Sequence, residues 1–187
     1  MKKFITLALS FLLLFTAVAC SNKGQAQPES ANKVADKTYF NTYTGLYDKS
    51  IGTLGGYNMY TDVKTAESAY KDKEYPGNEK YLSDVKAAYK DSRDKIQSFV
   101  TSLKKDGKTE DTELKKMNDD LIAEGERLVK DIDKRIEKLD KVSDEDMKKG
   151  QNDFIKLVHG TEDVGNDIGS GFRKMIKDMN DRLGITG

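Results

Sequence analysis

After about residue 35 the apolar residues recur at intervals of three and four, the period of helices that turn one face to a core. Tyr39, Tyr43, Leu46, Ser50, Leu54 and Tyr57 form one stripe with Phe40, Tyr47 and Ile51 beside it, which predicts a first helix over roughly 35–60. Gly45, Gly52, Gly55 and Gly56 each weaken it by about 1 kcal/mol relative to alanine, so a kink is expected at the glycine pair. Asp62 is placed to cap a short helix reaching Tyr70, and Tyr75-Pro76-Gly77-Asn78 carries turn chemistry. Tyr81, Val85, Ala88, Ser92, Ile96, Phe99 and Leu103 then predict a long helix over 79–104, closed by Lys104, Lys105 and Gly107. A third helix opens near Asp111 or Thr112 and carries Leu114, Met117, Leu121, Leu128, Ile132 and Leu139.

Ser143, followed by three acids, is the next start signal, since a hydroxyl caps a helix and carboxylates suit its first turn. Met147, Phe154, Leu157, Thr161, Val164, Ile168, Phe172, Met175, Met179 and Leu183 extend a fourth segment over 144–183, which glycines at 160, 165, 169 and 171 allow to bend or to lie close against a neighbour. No convincing period-2 run interrupts the pattern. The expected fold class is all-α, an elongated antiparallel helical bundle of about four long helices over 35–187.

The first 34 residues follow a different rule. Lys2 and Lys3 precede an apolar run from Phe4 to Phe15 and the small residues Ala17-Val18-Ala19-Cys20, which reads as a cleavable secretory signal over 1–19 rather than a membrane span. The ending resembles the lipobox of bacterial lipoproteins, with Ala17 where Leu, Val or Ile is usual. That resemblance implies a diacylglyceryl thioether on Cys20 and cleavage just before it. The other reading is ordinary signal cleavage that leaves a free thiol. Residues 21–34 are polar, contain Gly24 and Pro28, and have no apolar period, so they read as a tether holding the domain on the order of 20 Å from a lipid surface.

Because Lys2 and Lys3 lie in the leader and no acid does, the remainder carries two more acids than bases. Such a balance supplies no long-range field to steer a polyanion, and nucleic acid is not an expected partner. Leu, Ile, Val and Phe are only 31 of the 167 residues after Cys20, a level that would suggest disorder if net charge were high. With charge balanced, the composition points instead to helices with narrow apolar stripes and solvated charged faces. Cys20 is the only cysteine, so packing and not disulfides must hold the domain.

The run Lys37-Thr38-Tyr39-Phe40-Asn41-Thr42-Tyr43-Thr44-Gly45-Leu46-Tyr47, followed by Gly56-Tyr57-Asn58 and the region of Tyr81, resembles the YiiG-like family of bacterial lipoproteins. The resemblance covers most of the chain after residue 35. It implies a lipobox, a polar tether and a helical domain of unknown function, and it brings no catalytic residue.

Candidate chemistry is thin. His159 is the sole histidine, without the partners that a metal or proton-relay site needs, and is expected to be a partly exposed helical residue. A hydroxyl nucleophile using it as base is not excluded by spacing, although no Gly-x-Ser-x-Gly elbow is present. The acidic run at 131–135 fails the calcium-loop pattern at its third ligand, and the one at 106–111 has its glycine too early. Gly169-Ser170-Gly171 lacks the lysine and the preceding strand of a phosphate loop. No catalytic residue, metal or cofactor is therefore assigned.

One asymmetry remains. The nine tyrosines, from Tyr39 to Tyr89, all lie in the first half of the domain. Tyr39, Tyr43 and Tyr47 share one side of a helix, and with Tyr57 and Tyr60 they form the candidate surface for a protein or glycan partner, the alternative being a partly wet core. The resulting expectation is a non-catalytic binding lipoprotein of the bacterial envelope, joined to the membrane by its N-terminal lipid. Because Ser21 follows the cysteine in place of a retention-type acid, the outer membrane is favoured where there are two. The rival readings are a small-ligand carrier with a site between the helices, and an envelope enzyme or enzyme inhibitor.

Overall fold

The structure, a computed structural model, describes residues 36–60, 62–160 and 169–185, with side chains for all of these except 56–60. The expected signal, Cys20 and the expected tether lie outside the described residues. The described residues are all-α: α1 (Lys37–Lys49), a 3-10 segment (Ile51–Tyr60), α2 (Val63–Ala69), α3 (Asn78–Asp106), α4 (Thr112–Leu139), a 3-10 turn (Asp146–Lys148), α5 (Gln151–His159) and α6 (Ser170–Leu183). Among the described residues no helix is long and apolar enough to cross a membrane.

Side-chain caps explain three of the six described helix starts, and the other three follow glycines. The Asp36 carboxylate accepts from the N–H groups of Thr38 and Tyr39, Asp62 from Thr65, and Asp111 from Glu113 and Leu114. α3 and α4 are the two helices of the expected length. Their facing sides are joined across the pair by Lys104–Glu126 at 3.0 Å, Arg93–Asp133 at 3.1 Å, and Lys86 with Asp140.

The first and fourth predicted helices are shorter than their stripes suggest. α1 ends at Lys49, where the Ser50 N–H is shared between the carbonyls of Leu46 and Tyr47, and the chain tightens into the 3-10 segment before the glycine pair is reached. The fourth segment is broken twice. The Ser143 Oγ accepts from the Asp146 N–H at 3.1 Å and donates to the Asp146 carboxylate at 2.8 Å, but it begins no long helix: one 3-10 turn follows, with Glu145 at its N-cap position. α5 then stops at Gly160, whose φ of 81° and ψ of 161° belong to a region essentially closed to other residues. α6 begins only after Gly169, itself at positive φ. Apolar spacing continues through such breaks because both flanking pieces bury a face; only the backbone at the glycines marks the ends.

The larger core gathers α1, the second half of α3, α4 and α6 around Phe99, Leu103, Leu121, Phe172 and Met179. Phe99 and Phe172 meet edge-to-face at 6.4 Å. Gly125 makes this possible: a Cβ there would lie 2.3 Å from Val100 Cγ1 and 3.0 Å from the Phe172 ring. A smaller core joins α2, the start of α3, the end of α4 and α5 through Ala66, Tyr81, Val85, Leu139, Phe154, Ile155 and Val158.

Candidate functional site

Of the expected tyrosine surface, Tyr39 and Tyr43 are fully buried and Tyr47 is half-buried. The side chains of Tyr57 and Tyr60 and the thiol of Cys20 lie outside the described residues. The Tyr39 and Tyr43 assignments are therefore corrected: both rings are core. The three rings stack in sequence, with centroids 6.3 and 6.1 Å apart, and Tyr43 meets Phe99 at its edge. A buried hydroxyl needs a partner, and each finds one. Tyr39 donates to Asn118 Oδ1 on α4, and Tyr43 to Asn180 Oδ1 on α6, both at 2.9 Å. Burial raises both phenols above the ordinary tyrosine range. This row is a strut that fixes α1 to two neighbours.

The chemistry gathers in the smaller core. Tyr75 donates to Asn78 Oδ1 at 2.8 Å, and the Asn78 amide donates to the carbonyls of Met147 and Lys149, which ties the turn before α3 to the entry of α5. α5 can then lay Phe154, Ile155, Val158 and His159 on its inner face. His159 is 3% exposed, so the expectation of a partly exposed residue is corrected too. Its Nε2 lies 2.6 Å from the Tyr81 hydroxyl, and Nδ1 has no hydrogen-bond partner among the described residues. Tyr81 is in turn ringed by Tyr70 at 5.7 Å and Tyr75 at 5.5 Å. Burial pushes the Tyr75 phenol up to about 12.

Arg135 enters from α4, 9% exposed, and donates to the carbonyl of Val158, at the C-terminal end of α5. That end carries the negative pole of the helix, so the dipole partly compensates the buried guanidinium. The Arg135 charge also offsets part of the upward push that burial gives the Tyr89 phenol. Its Nε is buried without a partner among the described residues. Gly160 leaves room for the guanidinium, since a Cβ there would sit 3.3 Å from Nη1. Burial, and then the nearby Arg135 charge, bring His159 down to about 4, against a smaller opposing pull from Asp62.

At neutral pH the cluster is thus a neutral imidazole, a neutral phenol and one buried cation. Arg135 escaped the sequence reading, yet a signal existed: it falls three residues after Ile132 and four before Leu139, on the apolar stripe. No group of three or more His, Cys, Asp or Glu side chains able to hold a metal occurs among the described residues.

Compared with known proteins, the chain matches no family model, no curated protein and no solved structure.

Proposed function

We propose that the protein is a lipid-anchored, extracytoplasmic binding protein of the bacterial envelope that acts without catalysis, with an elongated antiparallel helical bundle displayed on a short tether. The observation that carries this reading is the leader that ends in Ala17-Val18-Ala19-Cys20 and is followed by a polar stretch before the first helix. The resemblance to YiiG-like lipoproteins agrees with it. A non-catalytic role draws support from the carboxylates. Asp119, Asp140 and Asp146 are held below the usual range by hydrogen bonds from Lys115, Lys86 and Ser143, the condition of surface ion pairs rather than of general acids.

The partner is a protein or glycan and not nucleic acid. Lysines on the exposed helix faces are paired with acids on the same face, as in Lys80–Asp84, Lys115–Asp119 and Lys174–Asp178, which weakens their attraction for a phosphate backbone. Of the tyrosine surface, Tyr47, Tyr57 and Tyr60 remain candidates once Tyr39 and Tyr43 are assigned to the core.

Expressed in a bacterial host with labelled palmitate, the full chain is expected to take up label and to fractionate with membranes. Cys20→Ser is expected to lose the label and either leave the membrane fraction or accumulate with its leader uncut. A processed Cys20→Ser protein that stays membrane-bound would refute the anchor, because two or more acyl chains on that residue are what stable anchoring requires.

A further inference from the structure

We propose that His159 is an acid-sensitive latch, so that mild acidification loosens the α2–α5 end of the fold while the core formed by α1, α3, α4 and α6 stays closed. The proposal does not depend on the lipoprotein reading.

α5 has nine residues and α2 seven, too few for either to persist as a helix without packing. What holds α5 is its inner face, and His159 closes that face at its last turn. The neutral imidazole suits the site because one ring nitrogen meets the Tyr81 hydroxyl. Protonation makes both nitrogens donors. Whichever tautomer the neutral ring holds, the cation has an Nδ1–H that no described group accepts and an Nε2 that can no longer accept from the Tyr81 hydroxyl, and the ring charge lies beside the Arg135 guanidinium. The helix C-terminus would ordinarily welcome a cation, but Arg135 already occupies that role on the Val158 carbonyl.

Every packed element contributes to the balance. Asp62, at the start of α2, favours the proton; Tyr81 and Tyr89 of α3 are neutral, as are Tyr70 and Tyr75 beside Tyr81; Lys156, one turn back on α5, is exposed; Arg135 of α4 opposes. Burial and Arg135 outweigh Asp62. When α5 lifts away, the imidazole regains water and its ordinary proton affinity, so falling pH favours the open form. Lowering pH from about 7 to about 5 should make opening roughly twentyfold more frequent. The larger core contains no histidine and has no such dependence in that interval.

The test uses the full untagged chain in nonionic detergent, in which His159 supplies the only imidazole resonance. That resonance is expected to stay unshifted from pH 7 to pH 5. Amide protection, corrected for intrinsic exchange, is expected to fall roughly twentyfold in 63–69 and 151–159 over the same range, relative to 96–103 and 114–136. His159→Phe and His159→Gln should abolish the relative change. A ring titrating at the ordinary histidine value would overturn the proposal, as would pH-independent relative protection, or variants that keep the wild-type dependence. If neither variant folds, the wild-type resonance and exchange profile decide alone.

Discussion

The two cores of this molecule solve the burial of polar atoms in opposite ways. In the larger one the buried polar groups are neutral amides and phenols paired with each other, Tyr39 with Asn118 and Tyr43 with Asn180, so nothing within them changes state near neutral pH. In the smaller one a histidine and an arginine lie under the same helix end, each with a ring or guanidinium nitrogen that no described group satisfies. The larger core is set up for stability and the smaller for responsiveness. A low-dielectric interior strengthens a satisfied pair and magnifies the cost of an unsatisfied one, and this single property produces both outcomes.

The comparison is tested most severely by cutting into the large core. Phe99→Ala or Phe172→Ala is expected to cost about 3 to 5 kcal/mol and to lower the single melting transition of the whole domain, read by circular dichroism. Loss confined to one helix would mean that the two rings are not the shared centre described above.

The next effect in size is the pH response of the small core. His159 holds its proton less tightly folded, at about 4, than unfolded, at 6.5. Its contribution to stability is therefore fully present above 6.5, declines as pH falls from 6.5 to 4, and is level below that. The total is about 3 kcal/mol at the α2–α5 end. Denaturant titrations of wild type and His159→Gln between pH 7 and pH 5 should diverge with that sign.

A smaller change probes the neutral pairs of the large core. Tyr39→Phe leaves the Asn118 carbonyl, 4% exposed as a residue, without its donor and is expected to cost about 1 to 2 kcal/mol at every pH from 5 to 8. A pH-dependent cost would blur the distinction between the cores. At the bottom of the scale, Lys174→Ala removes an exposed i, i+4 partner of Asp178 and should leave the melting temperature unchanged, since such pairs are well solvated.

Polar residues on the apolar stripes were the legible but easily neglected signal. Asn118 sits four after Leu114 and three before Leu121, and His159 four after Ile155, as Arg135 does between Ile132 and Leu139. All three are buried. Spacing alone places such a residue on the inner face, but it does not say which groups it meets there. For Asn118 the answer is a phenol from 79 positions away, and for His159 one from 78.

Local chemistry by itself determined the all-α class, the extent of α3, the start of α4 near Asp111 or Thr112 and the capping role of Asp62, because helical period and cap preference act within a turn or two of the chain. The expectation of an N-terminal leader ending before Cys20 rests likewise on local signals, charge, apolar length and small residues in series. Tertiary structure decided where the first and fourth stripes break: α1 gives way to the 3-10 segment after Ser50, and α5 ends at Gly160, whose positive φ closes the helix there. It decided as well that Tyr39 and Tyr43 are a buried strut, and that Tyr81, Arg135 and His159 form one cluster. Burial and like-charge proximity belong to no single segment: they arise when α3, α4 and α5 converge, and so do the ionisation states that depend on them.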